Sequence, residues 1–480
     1  MSDAPADANA TADFDPATGP SAVTTAQALR DGATTSRALA TFALERLRAG
    51  HAVCNSVIAF EDDSALALAD QADAERAAGT AAGPLHGVAL AHKDMFDRTG
   101  RTASWGGNIQ AEAPASTPAT VIARLEAAGS FQVAALHLTE FAFGASGHNF
   151  VRGHARNPFN PDHIAGGSSS GSAISVATGA VPFALGSDTA GSLRLPAAAC
   201  GVKSLKPTWT RVSRAGCMPL SGALDCVGPI ARHVEDIALG FGLIAGHDPR
   251  DGLSARRPVP DVQAALTAST RPLKIAIADT LNADADAHIL AKLDDVRTIL
   301  SDTGCTVHAT ACSNWGEIGK LMQLLQFPEV ASAHGRTMRH RNADYGPQVR
   351  ARIEYGHFIS AADHQTALRA RGMILKQFLN EALADCDALL MPVFMGDIPT
   401  VAELDLTSGP ELMAGLGRVL HFTRPLNYLG LPAMTLPYAR RGDDLPNGFQ
   451  LVGRPFGETA LITLAAAYER AVPPEVAKLS

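Results

Sequence analysis

The stretch HIAGGSSSGSAISV, residues 163–176, places glycines and serines directly before an apolar run that predicts a helix. Small residues at this density allow the backbone to turn tightly and to bring N–H groups and hydroxyls close together. Four interpretations are open: a phosphate-binding loop, a nucleophile elbow, a loop that positions a serine against groups elsewhere, or a plain turn that begins the helix.

The phosphate loop and the elbow each lack a required neighbour. A P-loop ends in Gly-Lys-Ser/Thr, whereas Gly171 is followed by Ser172 and Ala173, and no strand and ribose-binding acid frame a Rossmann fingerprint. Ser169 formally occupies the centre of G-x-S-x-G, but an elbow needs an apolar strand before it, and RNPFNPDHIAGG contains two prolines instead. The sequence therefore favours a positioning loop, provided that other stretches supply partners for it.

A lysine and a second serine are candidates for those partners. Lys93 follows an apolar strand in GVALAHKD, residues 87–94, where burial would favour its uncharged form and make it a base. Ser192 lies in GSDTAGSLRLPA, residues 186–197, on a turn that can point several successive N–H groups at one oxyanion. A solvated surface lysine and an ordinary turn stay open as alternatives on these stretches alone.

The three stretches GVALAHKD, GGSSSGSA and GSDTAGSLRLPA together resemble the motifs of the amidase signature family. Their spacing also matches that family, since 75 positions separate Lys93 from Ser168 and 24 separate Ser168 from Ser192. The likeness extends from about Pro84 to Arg470. Three ordered motifs at matching spacing form a far more specific signal than any one of them alone.

The resemblance implies a catalytic triad of Ser192 as nucleophile, Ser168 as bridging serine and Lys93 as base. In the family the peptide bond before the bridging serine, here Gly167–Ser168, is cis. A serine hydroxyl needs a base within reach to become a nucleophile, and a neutral lysine acting through the bridging serine meets that need. We therefore expect cleavage of a C–N bond in a small amide, or a related carbamate or urea derivative, through an acyl-enzyme and without a metal or organic cofactor.

The resemblance also implies an oxyanion hole and supporting residues. The hole would consist of the backbone N–H groups of Thr189, Ala190, Gly191 and Ser192. The supporting residues would be Gly166, Gly167, Asp188 and Arg194. The family often has two glycines before the nucleophile, and an alanine held at positive φ is strained by about 1 kcal/mol or more. Ala190 therefore predicts a modified hole.

Strand patterns that alternate with helical patterns predict an α/β fold with a large mixed, mostly parallel central sheet covered by helices on both faces. The resemblance implies that this is the amidase-signature fold. Residues 1–20, which contain no Lys or Arg, predict a disordered tail, and residues 21–480 predict a single domain. Within that domain, residues 305–385 have little strand signal and predict a helical cap over the site.

Composition and charge limit the binding partners that the protein is expected to have and the compartment in which it is expected to lie. The 480 residues carry a net charge of −8, which argues against a binder of nucleic acid or of anionic membranes, and no apolar run reaches the ~18 to 20 residues of a membrane span. Seven scattered cysteines without a CxxC pair predict reduced thiols in a cytoplasmic protein. We expect no metal site, because the spacing of four neighbouring histidines matches no metal-binding pair: His137, His148, His154 and His163.

We therefore expect an amidohydrolase with a small-molecule amide substrate, and we also consider a homodimer. The first alternative is the glutaminase-type A subunit of a tRNA-dependent amidotransferase, which depends on partner subunits. Residues 310–345 do not resemble the signature of that protein. The second alternative is a non-catalytic module that binds an anion or a nucleotide on the loop rich in glycine and serine.

Overall fold

The computed structural model describes residues 14–15, 18–268, 273–440, 444–475 and 477. Most of the predicted N-terminal tail, residues 1–20, lies outside the described residues. Within the described parts of the chain, helices and strands alternate in a mixed α/β arrangement with two sheets.

Eleven strands in the described residues form a sheet of three strands and a sheet of eight. The strands are β1 (Val57–Phe60), β2 (Ala89–Lys93), β3 (Phe131–Leu136), β4 (Phe183–Asp188), β5 (Lys203–Lys206), β6 (Cys226–Ala231), β7 (Lys274–Ile277), β8 (Thr306–Ala309), β9 (Ala388–Pro392), β10 (Ala433–Pro437) and β11 (Gly448–Gly453). The small sheet has the order β1-β3-β2, and the large sheet has the order β4-β6-β5-β10-β11-β9-β7-β8.

The large sheet is mixed, as predicted, but most of its pairings are antiparallel. Among the described strands of this sheet, only β7 pairs in parallel, with β8 and with β9. The pairs β4–β6, β5–β6, β5–β10, β10–β11 and β9–β11 are antiparallel. The prediction of a mostly parallel sheet is therefore wrong. Residues 207–225 join β5 to β6 without an α-helix, and parallel neighbours usually need a helical crossover, so these two strands pair antiparallel.

The described residues contain seventeen α-helices, several of which pack on the strands, which confirms the predicted helical cover. They are α1 (Ala22–Arg30), α2 (Ser36–Cys54), α3 (Asp62–Ala77), α4 (Thr120–Ala127), α5 (Ser170–Ala177), α6 (Arg194–Ala199), α7 (Val234–Ile244), α8 (Val262–Thr267), α9 (Asp279–Asn282), α10 (Ala287–Asp302), α11 (Trp315–Arg341), α12 (Pro347–Gly356), α13 (Ala361–Phe378), α14 (Val401–Leu404), α15 (Pro410–Leu420), α16 (Arg424–Leu429) and α17 (Glu458–Ala471). Short 3₁₀ turns occupy Glu140–Ala142 and Asn342–Asp344, and a π-helical turn occupies Leu379–Leu383.

Three element ends meet where the small sheet touches the large one. Strand β2 packs beside β4, and α5 packs against both strands. Strand β2 ends at Lys93, β4 ends at Asp188, and α5 begins at Ser170. Both strands are buried along their whole length, so the polar groups at their ends are shielded from water. The fold thus brings the three sequence motifs to one buried place.

The segment predicted to be a cap, residues 305–385, is mainly helical. After β8 it contains α11, α12 and α13, and α11 packs against α12, α13 and α16. Its role as a cover over the site stays a prediction, as does the single domain.

Two further observations concern the surroundings of the protein. None of the described helices combines the length and the apolarity that crossing a membrane requires. All seven cysteines are free thiols, as expected from their spacing, and the cytoplasmic location inferred from them stays a prediction.

Candidate active site

Lys93 lies at the centre of the site and is surrounded by hydroxyl groups. Its Nζ atom is 2.7 Å from Ser168 Oγ, 2.9 Å from Ser187 Oγ and 3.2 Å from Ser169 Oγ. The Lys93 side chain is buried, and its amine forms a hydrogen bond or salt bridge with no carboxylate of the described residues. The structure thus brings the predicted base into direct contact with the predicted bridging serine.

Burial among hydroxyls changes the protonation of Lys93. Desolvation lowers the pKa of its amine to about 7, although the charges of Asp225 and Asp188 act in the opposite direction. A buried ammonium is costly because neutral hydroxyls replace only part of the stabilisation that water and counter-charges provide. At neutral pH a large share of Lys93 is therefore uncharged and able to accept a proton.

The position of Ser168 depends on the backbone around it. The Gly167–Ser168 peptide bond is cis, as the resemblance predicts. The Gly167 N–H donates to Ala145 O at 2.7 Å, and the Thr139 N–H donates to Ser168 O at 3.2 Å. These bonds fasten the loop to residues 139–145 and hold the fully buried Ser168 beside the lysine.

The two glycines before Ser168 are required by close backbone approaches. A Cβ atom on Gly166, whose φ is 71°, would lie 2.8 Å from Pro196 Cα. A Cβ atom on Gly167 would lie 2.6 Å from Gly147 N. Because both obstacles are backbone atoms, a side chain at either glycine would displace the loop that carries Ser168.

Ser192, the predicted nucleophile, lies against the same loop. Its carbonyl oxygen accepts a hydrogen bond from the Ser169 N–H at 3.3 Å, and the residue is only 7% exposed. Its hydroxyl makes no hydrogen bond with another described residue. The contact between Lys93 and Ser168 is therefore formed, whereas the Ser192 hydroxyl is left for another partner, as is common before substrate binds.

The backbone before Ser192 offers fewer free donors than predicted. The Gly191 N–H donates to Asp188 Oδ1 at 2.8 Å, so this group is already occupied in the structure. The N–H groups of Thr189, Ala190 and Ser192 donate to no described residue. The four-donor oxyanion hole expected from the resemblance is thus reduced to three candidate donors.

Positive φ falls on Gly191 and not on Ala190. Gly191 has a φ of 135°, whereas Ala190 is absent from the residues with positive φ. A Cβ atom on Gly191 would lie 2.5 Å from Thr423 Oγ1, the atom that donates to Ala190 O at 2.7 Å. The condition for strain at Ala190 is therefore not met, and the alanine fits its place.

A buried ion pair holds the turn that precedes Ser192. Arg194 donates to Asp188 through Nε and an Nη atom, each at 3.0 Å, and both side chains are fully buried. Burial alone would raise the pKa of Asp188, but Arg194 outweighs it and holds that pKa at about 2. Arg194 also donates to Asn427 Oδ1 and Gln450 Oε1. The supporting contact predicted between Asp188 and Arg194 is present.

Four other residues that hold this turn were not predicted from the sequence: Asp225, Thr423, Asn427 and Gln450. Asp225 accepts the Thr189 hydroxyl at 2.5 Å, and Asn427 donates to the backbone carbonyl and to the carboxylate of Asp188. Their only signal is a polar side chain within an otherwise apolar stretch such as FTRPLNYLG, because a buried polar group needs a partner.

The histidines singled out by their spacing do not assemble around the lysine. His148 and His154 come together with Asp405, with ligand-type atoms within 4.8 Å of one another. Every ring nitrogen of these two imidazoles already has a protein partner, so we assign them a structural role. That no metal is needed stays a prediction.

The chain is similar in sequence and fold to enzymes of amide chemistry. The A subunit of the glutamyl-tRNA(Gln) amidotransferase of Chloroflexus aurantiacus is 36% identical over 474 residues, which cover 93% of this chain and 96% of the relative. A solved chain of the vestigial complex reported to reveal the origins of an s-triazine catabolic enzyme superposes with a TM-score of 0.87, 28% identity and coverage of 96% and 100%. The corresponding amidotransferase chain from Thermotoga maritima gives a TM-score of 0.78, 26% identity and coverage of 98% and 99%.

The fold and the three motifs that it brings together are those of an enzyme that hydrolyses C–N bonds. The chain belongs to the amidase family, which residues 38–462 match. The interpretation as a non-catalytic anion-binding module is therefore wrong, since its only support was the loop that the family uses in catalysis.

The backbone geometry next to the nucleophile is testable with a pair of substitutions. Ala190→Gly adds freedom to the unfolded chain without relieving strain, so we expect it to lower the free energy of unfolding by about 0.4–1 kcal/mol. Gly191→Ala must oppose both the positive φ and Thr423, and we expect a larger loss. Urea unfolding measures both variants. A stabilising effect of Ala190→Gly would show that the alanine is strained after all.

Proposed function

We propose that the chain hydrolyses a small carboxamide through an acyl-enzyme on Ser192. The single observation that carries the proposal is the 2.7 Å contact between the buried amine of Lys93, whose pKa is lowered to about 7, and Ser168 Oγ. A lysine placed in this way serves no electrostatic pairing, and a base beside a serine is what nucleophilic catalysis needs.

In the proposed first half-reaction, neutral Lys93 accepts a proton from Ser168 as Ser168 takes the proton of Ser192. The freed Ser192 oxygen attacks the amide carbon, and the N–H groups of Thr189, Ala190 and Ser192 donate to the developing oxyanion. The C–N bond then breaks while the proton returns through Ser168 to the leaving nitrogen, so that ammonia or an amine departs.

The second half-reaction repeats the relay with water. Water attacks the ester carbonyl on Ser192 while its proton passes through Ser168 to Lys93. The carboxylic acid is released when the proton returns to the Ser192 oxygen and the ester bond breaks. Because protons enter and leave by one route, no second acid or base is required.

The nucleophile is tested by covalent trapping. A fluorophosphonate should label Ser192, and Ser192→Ala should lose both labelling and amide turnover, because the hydroxyl that forms the acyl-enzyme is gone. Mass spectrometry of the labelled peptide identifies the site. Ser175→Ala is the matched control, since this buried hydroxyl has no hydrogen-bond partner, and it should keep full activity. Normal turnover by Ser192→Ala removes the proposal.

The base is tested by its titration. Since the pKa of Lys93 lies near 7 and only the uncharged amine accepts a proton, kcat/KM should rise through about pH 7 and level off above it. Below pH 6 we expect about a tenfold fall per pH unit. Lys93→Met should lose about 100- to 10,000-fold in activity. A flat profile between pH 5 and 9, or an active Lys93→Met, contradicts the relay.

A second candidate function is supported by the curated relatives, whose names favour it over a stand-alone amidase. In that role the chain would release ammonia from glutamine as the A subunit of a tRNA-dependent amidotransferase. The chemistry at Ser192 would be the same, and protein partners would be added. The s-triazine neighbour comes from a protein complex as well, which also supports a protein partner. A homodimer stays a prediction.

The two candidates differ in their dependence on partners. Tagged protein purified from its own host should bring down further proteins if the chain belongs to an amidotransferase, and its glutaminase activity should then depend on them. Small amides turned over at the same rate by the isolated chain and by the material from the host would favour the stand-alone enzyme. Size-exclusion chromatography with light scattering gives the assembly state in both cases.

A further inference from the structure

Two arginines have no carboxylate partner among the described residues, and each lies close in sequence or space to a residue that contacts the loops of Ser168 and Ser192. Arg352 belongs to α12, and Arg424 is the first residue of α16. By contrast, the buried guanidinium of Arg194 is neutralised by Asp188. Because an unpaired charge is costly away from water, a guanidinium without a partner in such a place indicates a ligand of opposite charge.

Arg352 contacts the segment to which the loop of Ser168 is bound. Its guanidinium lies over the Phe143 ring, 3.9 Å from the centroid, and one Nη atom donates to Phe143 O at 2.7 Å. Its Nε atom is buried without a hydrogen-bond partner. Phe143 lies two residues before Ala145, whose carbonyl accepts the Gly167 N–H. This guanidinium is therefore tied to the segment that holds the cis peptide bond.

Arg424 directly follows a residue that contacts the turn before Ser192. It follows Thr423, whose hydroxyl donates to Ala190 O at 2.7 Å and closely approaches Gly191. The Arg424 guanidinium forms no hydrogen bond or salt bridge with any described residue, and its Nε atom is buried. The four N–H groups of its two Nη atoms are thus left for a ligand.

The charge of Arg424 acts on the guanidinium of Arg352. Burial, together with the charge of Arg424, lowers the pKa of Arg352 to about 9. Burial likewise lowers the pKa of Arg424 to about 10. Both groups stay charged at neutral pH, so two like charges lie near each other without a counter-charge from the described protein. An anion that enters between them would relieve this repulsion.

We propose that Arg352 and Arg424 form a subsite for a carboxylate of the substrate, so that the enzyme prefers amides that carry a carboxylate group. The proposal rests on the proposed hydrolysis at Ser192 and names the substrate class for it. Guanidinium groups suit this role because their planar donors match the two oxygens of a carboxylate.

The same surroundings offer no ready partner for a substrate ammonium among the described residues. Asp188 is bound by Arg194, and Asp225 accepts the Thr189 hydroxyl and two backbone N–H groups. Glu140, near the Arg352 side, accepts the Gly346 N–H. We therefore expect a plain carboxylate substrate to be preferred to a zwitterionic amino acid.

Matched amides test the subsite by activity. Succinamate and glutaramate carry a carboxylate where butyramide and pentanamide carry a methyl group, and glutamine is glutaramate with an added ammonium. We expect kcat/KM for the anionic amide to exceed that of its uncharged counterpart by about tenfold or more, and glutaramate to exceed glutamine. Arg424→Gln should reduce the ratio of anionic to uncharged amide by about ten- to a hundredfold, and Arg424→Lys should keep part of it.

The control is Arg418→Gln, the same chemical change at an arginine on α15 whose side chain is 62% exposed. It should leave the ratio unaltered. Arg424 bonds to no described residue, so its replacement should not disturb folding. Arg352→Gln gives a second test of the pair, and its thermal unfolding temperature shows whether a loss of selectivity reflects the site or the fold.

A binding measurement separates this proposal from the proposed hydrolysis. In Ser192→Ala, calorimetry should detect saturable binding of succinate or glutarate, and the added change Arg424→Gln should weaken it about tenfold or more. Equal binding in both proteins, or a ratio that Arg424→Gln leaves unchanged, overturns the subsite even if amides are hydrolysed. A higher kcat/KM for glutamine than for glutaramate contradicts the expectation that the site has no partner for a substrate ammonium. If the unaltered enzyme hydrolyses none of the amides but binding of the dicarboxylate still depends on Arg424, the subsite is supported and the proposed hydrolysis is rejected.

Discussion

The site depends on one constraint, a lysine that is buried without a counter-charge in contact with it. Lys203 is equally buried in the sheet, but it contacts the carboxylate of Glu469 at 2.9 Å. Lys93 instead meets three serine hydroxyls. A carboxylate beside Lys93 would stabilise the ammonium and prevent the proposed role of Lys93 as a base. Hydrogen bonds to the serine hydroxyls allow the amine to be buried, but they stabilise the charged ammonium less than a carboxylate would, so the amine loses its proton more easily.

This constraint explains why the nearest carboxylates are engaged elsewhere. Asp188 ends the strand next to Lys93, yet its charge is matched by Arg194, and its oxygens also accept the N–H groups of Gly191 and Leu193. The ion pair therefore has two effects at once: it orders the turn before the nucleophile and keeps the carboxylate from pairing with the base. Removing only the arginine would harm both, because a lone buried carboxylate would remain close to Lys93.

The local parts of the site were predictable, and the long-range parts were not. Lys93, Ser168 and the cis bond were predicted because three short motifs resemble those of the amidase signature family. Whether a backbone N–H is free depends on the folded turn. The sequence therefore did not predict that the Gly191 N–H donates to Asp188 and is not available to an oxyanion. Thr423 reaches the loop from more than 200 positions away. The α/β class was predictable for the same local reason, whereas strand order and direction depend on connections that hydrophobic patterns do not reveal.

Chemistry and specificity consequently come from different regions of the chain. The hydroxyls, the amine and the N–H donors of the proposed relay all lie between residues 93 and 192. Arg352 and Arg424 lie on helices far along the chain and touch the loops without taking part in them. Relatives that share the motifs can therefore act on different amides. The proposed preference for a carboxylate therefore comes from two arginines that lack a carboxylate partner among the described residues, and not from the motifs that the relatives share.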